Sequence, residues 1–182
     1  MNNPNHPKKG TSIRVDPIRD LKDIKSIKRL LADKPRDYCL FVMGINTNLR
    51  ASDLLKITVG QVRYLSPGEH FTIKEKKTSK TRNITLNKTV FDAIRRLLEE
   101  MGNDVDDTAL LFPSRKGQRQ LSTSSLNALV KSWCEDINLS GNYGSHTLRK
   151  TWGYQQRVQF NTSVPILMEC FNHSSQKMTL QY

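Results

Sequence analysis

The sequence predicts an α+β protein, a single and mainly α-helical domain that carries a small three-stranded antiparallel sheet. Three observations lead there. Apolar residues recur at spacings of three and four through most of the chain, the period of an amphipathic helix. Between Val59 and Leu86 that period gives way to short apolar and β-branched runs parted by turn residues. The 182 residues, 36% hydrophobic and 25% charged, suffice for one sizeable core and are too apolar for a disordered chain.

Residues 1–19 are polar and broken by Pro4, Pro7, Gly10 and Pro17, so a flexible basic arm or linker is expected there, with the domain at 20–182. From Asp20 onward, Leu21, Ile24, Ile27, Leu30 and Leu31 mark one face of a helix. Pro35 restarts the chain, and Tyr38, Leu40, Phe41, Val42 and Met43 make a helix apolar enough for the core. Gly44 to Asn48 breaks it, and Leu49 to Leu55 follows as a short helix. The three expected strands are Val62 to Leu65, His70 to Lys77 and Arg82 to Leu86. Ser66-Pro67-Gly68 and Thr78-Ser79-Lys80-Thr81 join them with turn-forming residues.

Asn87 is placed to cap a helix that turns Val90, Ile94, Leu97 and Leu98 inward and stops near Gly102. An acidic loop, a short buried segment at Leu110 to Pro113 and a basic loop at Arg115 to Arg119 come next. Ser122 to Ile137 reads as a helix with Leu126, Leu129, Val130 and Trp133 inward, ended by the loop at 141–144. Thr147 to Phe160 begins another helix, Ser163 to Cys170 is helical with Pro165 in its first turn, and Ser174 to Tyr182 is a last short helix or turn.

Charge narrows the function. With 29 basic and 17 acidic side chains the chain carries a net +12, a field that attracts polyanions and nucleic acid first among them. No run of about 18 apolar residues is present and the first ten residues lack an apolar stretch, so neither a membrane span nor a secretory signal is expected. Cys39, Cys134 and Cys170 form no close pair, which suits reduced thiols in the cytoplasm better than a disulfide frame or a zinc site.

Several side chains suit an anionic phosphate. His146 and Arg149 are three apart at a helix start, share a face, and point where free N–H groups and partial positive charge favour anions. Arg50 stands just past a helix break, and Lys76, Lys77 and Lys80 gather at the end of a strand and its turn. Successive strand residues alternate faces, so Lys76 and Lys77 are expected on opposite sides. His173 precedes two serines and Tyr182 closes the chain. Taken singly, each is more often a capping or solvated side chain; the information lies in the ordered set.

That set resembles the catalytic domain of the tyrosine recombinases, the phage integrase family. The matching pieces are Thr47-Asn48-Leu49-Arg50-Ala51-Ser52-Asp53-Leu54, Lys76-Lys77-Thr78-Ser79-Lys80-Thr81-Arg82, Ser145-His146-Thr147-Leu148-Arg149-Lys150 and Asn172-His173-Ser174-Ser175, closing on Tyr182. The resemblance covers about residues 20–182 and implies the fold of the DNA breaking-rejoining enzymes. It also implies a site-specific recombinase acting on double-stranded DNA through a covalent 3′-phosphotyrosyl link, in a four-subunit synapse. Arg50 and Arg149 would clamp the scissile phosphate, Tyr182 attack it, His146 take the phenol proton, Lys77 protonate the leaving 5′-oxygen and His173 donate a hydrogen bond. Energy kept in the ester makes metal and nucleotide unnecessary, and no Walker motif or carboxylate cluster is present, so no cofactor is expected.

Two departures touch supporting positions. Asp53 stands where the family usually has glutamate, and Phe171-Asn172 where it usually has leucine-glycine. Relatives usually carry an N-terminal helical domain and continue past the tyrosine with a segment that docks on a neighbouring subunit. The expectation is therefore an excised catalytic domain or a catalytic-domain-only member, cleaving slowly and assembling poorly as this 182-residue form. Three other readings stay open: a DNA-binding accessory protein with weak or no catalysis, a type IB topoisomerase-like relaxing enzyme, and a histidine-based nuclease.

Overall fold

The computed structural model describes residues 14–77, 79–115, 117 and 119–181. Helix α1 (Leu21–Leu30) leads into α2 (Pro35–Asn46), around which the rest is arranged. Five consecutive residues of α2, Cys39, Leu40, Phe41, Val42 and Met43, are fully buried, so this helix needs neighbours on every side. The next helix, α3 (Ala51–Leu54), is a single turn, and a hairpin of β1 (His70–Lys74) and β2 (Thr81–Thr85) follows. Four more helices and a last turn complete the fold: α4 (Lys88–Met101), α5 (Thr123–Asp136), α6 (Ser145–Gln159), α7 (Val164–Phe171) and α8 (Gln176–Thr179).

α2 packs on α1, α4 and α6, and Phe41 meets Trp133 of α5 edge-on at 6.0 Å between ring centres. Full burial of each such side chain contributes about 1.5–3 kcal/mol before the cost of ordering the chain. α2 and α6 approach closely at Gly44, where a Cβ would lie 2.5 Å from Leu148 Cδ1. Asn87 caps α4, its side chain accepting the Val90 N–H at 2.9 Å. Burial, with the nearby charges of Asp23 and Glu135, pushes the Cys134 thiol up to about 12, and burial raises Cys39 as well. Neither is a nucleophile at neutral pH.

The sheet has two strands where three are expected. β1 and β2 pair antiparallel from His70↔Thr85 to Lys74↔Thr81, but Val62 to Leu65 joins no ladder. Residues 59–64 coil instead, with the N–H groups of Val62 and Arg63 both bonded to Val59 O. Val59 and Val62 are buried three residues apart, which a turn achieves and an alternating strand does not. The segment leans on β1 through a side chain, Gln61 Nε2 donating to Thr72 O at 3.1 Å.

The expected arm also differs in its last part. Ile18 is fully buried, its N–H bonded to Thr151 Oγ1 at 2.8 Å, and the Asp16 backbone bonds both Asn142 O and Thr147 Oγ1. Residues 14–19 are thus docked along the start of α6, while 1–13 lie outside the described residues.

Candidate active site

A basic cleft opens between the α2–α3 junction, the hairpin turn, the N-termini of α5 and α6, and the α7–α8 corner. Arg50, Lys77, His146, Arg149 and His173 all border it. The sixth residue singled out by sequence, Tyr182, lies outside the described residues; Gln181, which precedes it, lines the same cleft.

Arg50 is delivered by a break in the chain. Asn48 takes the left-handed conformation at φ 54°, one that asparagine tolerates better than most residues, and buried Leu49 anchors the turn. Arg50 then stands at the N-cap of α3 with its Nη1 2.7 Å from Glu75 Oε2. Asp53, one turn on, is buried and accepts the Lys76 backbone N–H at 3.0 Å.

Arg149 is the more enclosed arginine, 2% exposed. Its charge survives there because partners surround it: Nη1 donates to Asn48 O at 2.8 Å and Nη2 to Phe171 O at 2.9 Å. The guanidinium also sits 5.1 Å from the centre of the Phe171 ring. One arginine therefore ties the segment bearing Arg50 to the one bearing His173.

His173 follows the left-handed residue Asn172, at φ 53°, which turns the chain out of α7. Its ring stacks on Phe171 at 5.0 Å and 14°, and its Nδ1 shares a 3.1 Å hydrogen bond with Thr179 Oγ1 of α8. His146 lies in the first turn of α6 with its ring open to the cleft. The surrounding protein mass, then the charges of Arg149, Lys150, Arg50 and Lys77, hold its pKa below the ordinary 6.5. Burial and the charges of Arg149, Arg50 and Lys77 lower His173 too. Both rings are largely neutral at pH 7.

Lys77 is exposed in the turn, and Lys76 lines the cleft beside it. The expected alternation of these two lysines does not hold, because β1 ends at Lys74 and a turn follows.

Three sets of contacts around the cleft were not anticipated from sequence. Glu75 is 1% exposed and joins Arg50 to Arg82, whose Nη1 lies 3.0 Å from its Oε1. Lys150, largely buried, donates from Nζ to Gln181 O at 2.6 Å, and burial lowers its pKa. Lys80 Nζ reaches Asn172 Oδ1 at 3.0 Å, linking the hairpin to the α7–α8 corner. For Glu75 a signal exists: it has the inward parity of Phe71 and Ile73. The other two depend on contacts distant in sequence.

The profile of the phage integrase family matches residues 18–182. Among characterised sequences, the chain is 32% identical over 169 residues to a probable integrase/recombinase, YoeC, of Bacillus subtilis (strain 168), covering 92% of this chain and 88% of that protein. It is 29% identical over 151 residues to the tyrosine recombinase XerC of Caldanaerobacter subterraneus subsp. tengcongensis, covering 82% of this chain and 41% of XerC. Among solved structures, the XerA recombinase superposes with a TM-score of 0.73 at 14% identity over 99% of this chain. A post-cleavage complex of the XerH site-specific recombinase with its difH substrate gives 0.72 at 18% identity over 93%. The chain spans 61% of the XerA chain and 49% of the XerH chain.

Proposed function

The chain belongs to the phage integrase family of tyrosine recombinases, and from that premise we propose that it is a site-specific DNA recombinase working through a covalent 3′-phosphotyrosyl intermediate. The observation that carries this reading is the cleft itself. Five proposed catalytic side chains, from segments far apart in sequence, border one basic opening. The proposed catalytic domain is residues 20–182, the partner double-stranded DNA and the working assembly a tetramer on DNA, in the nucleoid of a bacterial or phage-infected cell.

The chemistry follows from the phosphodiester. Its negative charge repels a nucleophile until the nonbridging oxygens are neutralised, and the planar fork of arginine matches them. Arg50 and Arg149 hold that phosphate and stabilise the charge added at the transition state; one well-placed arginine is worth about 10³–10⁵ in phosphoryl transfer. Tyr182 Oη bonds to phosphorus while the bond to the 5′-oxygen breaks. A phenol with a pKa of about 10 must lose its proton as it attacks, and His146, held neutral, is able to take it. Lys77 gives a proton to the departing 5′-oxygen, and His173 hydrogen-bonds the phosphate. A free 5′-hydroxyl then attacks the phosphotyrosine, restoring the phenol and sealing a strand.

A nicked suicide duplex carrying the target tests this directly. The wild-type protein is expected to form a denaturant-stable protein–DNA adduct, and Tyr182→Phe none. An adduct of equal yield from the Phe variant would remove Tyr182 as nucleophile. Free ends with no adduct would point to a nuclease.

A further inference from the structure

The six residues of the proposed mechanism leave out Glu75, which lies just past β1 and faces the interior with Phe71 and Ile73. A carboxylate that is 1% exposed is tolerated only when paired, and both its oxygens are: Oε2 to Arg50 Nη1 at 2.7 Å and Oε1 to Arg82 Nη1 at 3.0 Å. One partner comes from the α2–α3 junction and the other from β2. A second tie joins the same regions, Asp53 Oδ1 accepting the N–H of Lys76. Two residues past Glu75 the chain reaches Lys77.

We propose that Glu75 is a positioning residue for DNA cleavage: it fixes the Arg50 guanidinium at the cleft wall and registers the hairpin turn bearing Lys77 against it. The proposal rests on the reading of Arg50 and Lys77 given above. The contact at Nη1 is a close charge pair without hydrogen-bond geometry, so it anchors the guanidinium while the N–H donors of its rigid fork stay available to a phosphate. Without the carboxylate, Arg50 and Arg82 lose the anion between them. Arg50 then gains rotamers, and the turn loses a tie to the α2–α3 junction.

The test compares single-turnover cleavage of a suicide duplex by the wild type, Glu75→Gln and Arg82→Met, at saturating protein. Misplacement by about 1 Å costs about 10²-fold in rate, so Glu75→Gln is expected to slow cleavage by about that factor with DNA affinity little changed. Arg82→Met leaves the Arg50–Glu75 pair in place and is expected to cleave almost normally. The same proteins are then given a duplex with a neutral methylphosphonate at the scissile position. There Arg50 has no anion to hold, and the defect of Glu75→Gln is expected to shrink to a few-fold. If Glu75→Gln does not fold, Glu75→Asp, which keeps the charge but shortens the reach, takes its place. Equal loss on both substrates, or an Arg82→Met defect as large, would overturn the proposal in favour of a role in hairpin folding. Unimpaired cleavage by Glu75→Gln would overturn it alone. A wild type that forms no adduct removes the whole catalytic reading and this role with it.

Discussion

At the scale of single residues, desolvation first and then the crowding of cations hold the two cleft imidazoles toward the neutral form. His146 and His173 have folded-state pKa values below 6.5, so the unfolded chain binds protons more readily near that pH. Their contribution to stability is present above pH 6.5 and is lost as pH falls through the folded values. Thermal melts of the DNA-free protein should move to lower temperature as pH falls below 6.5, and NMR titration of both rings should give midpoints below 6.5. A midpoint above 6.5 for His146 would contradict both the desolvation and the crowding. That Arg50, His146 and Arg149 would meet at one cleft was legible in sequence, because residues of these types in this order were expected to gather around one anion. Glu75 was not. Inside the run Lys74 to Lys77 it reads as one more solvated charge; its parity with Phe71 and Ile73 points inward, but its two arginine partners are distant in sequence or across the hairpin.

At the scale of elements, Gly44 sets how closely α2 and α6 approach, and α6 carries His146 and Arg149. In Gly44→Ala the added methyl would meet Leu148 Cδ1 at 2.5 Å and Cβ at 3.0 Å, so the helices must part or Leu148 must change rotamer. Overpacking of this kind costs about 1–3 kcal/mol, to be read from urea denaturation. Adduct formation should suffer too, because the shift reaches Arg149. A midpoint as high as the wild type's would show that the contact is soft. Helices proved readable wherever their signals were local, as in the apolar run of α2, the Asn87 cap and Pro165 in the first turn of α7. Val62 to Leu65 misled because an apolar pair two or three apart suits either a strand or a turn. Only the missing ladder partner decides between them. The docking of residues 14–19 was equally hidden, since Val15 and Ile18 among a proline and charges are too few to set a period.

At the scale of the molecule, the chain carries a net charge of +12, and its cleft is bordered by arginine and lysine. Among the described residues no helix is long and apolar enough to cross a membrane. Binding through six to ten phosphates would weaken by about 10³–10⁵ between 50 and 200 mM salt, and fluorescence anisotropy on a duplex would measure the slope. A flat response would mean that the positive face is not the one that meets DNA. The same fold holds in proteins of quite different sequence, and one contact indicates how such divergence must proceed. Gly153 of α6 leaves the space that Phe171 fills, since a Cβ there would lie 2.5 Å from Phe171 Cζ. Phe171 in turn lies against Arg149 and His173. Gly153→Ala should depress adduct formation, and adding Phe171→Leu should restore part of it, whereas two independent defects would simply multiply. The room left at 153 thus sets how large a ring position 171 can hold against the arginine and the histidine of the cleft.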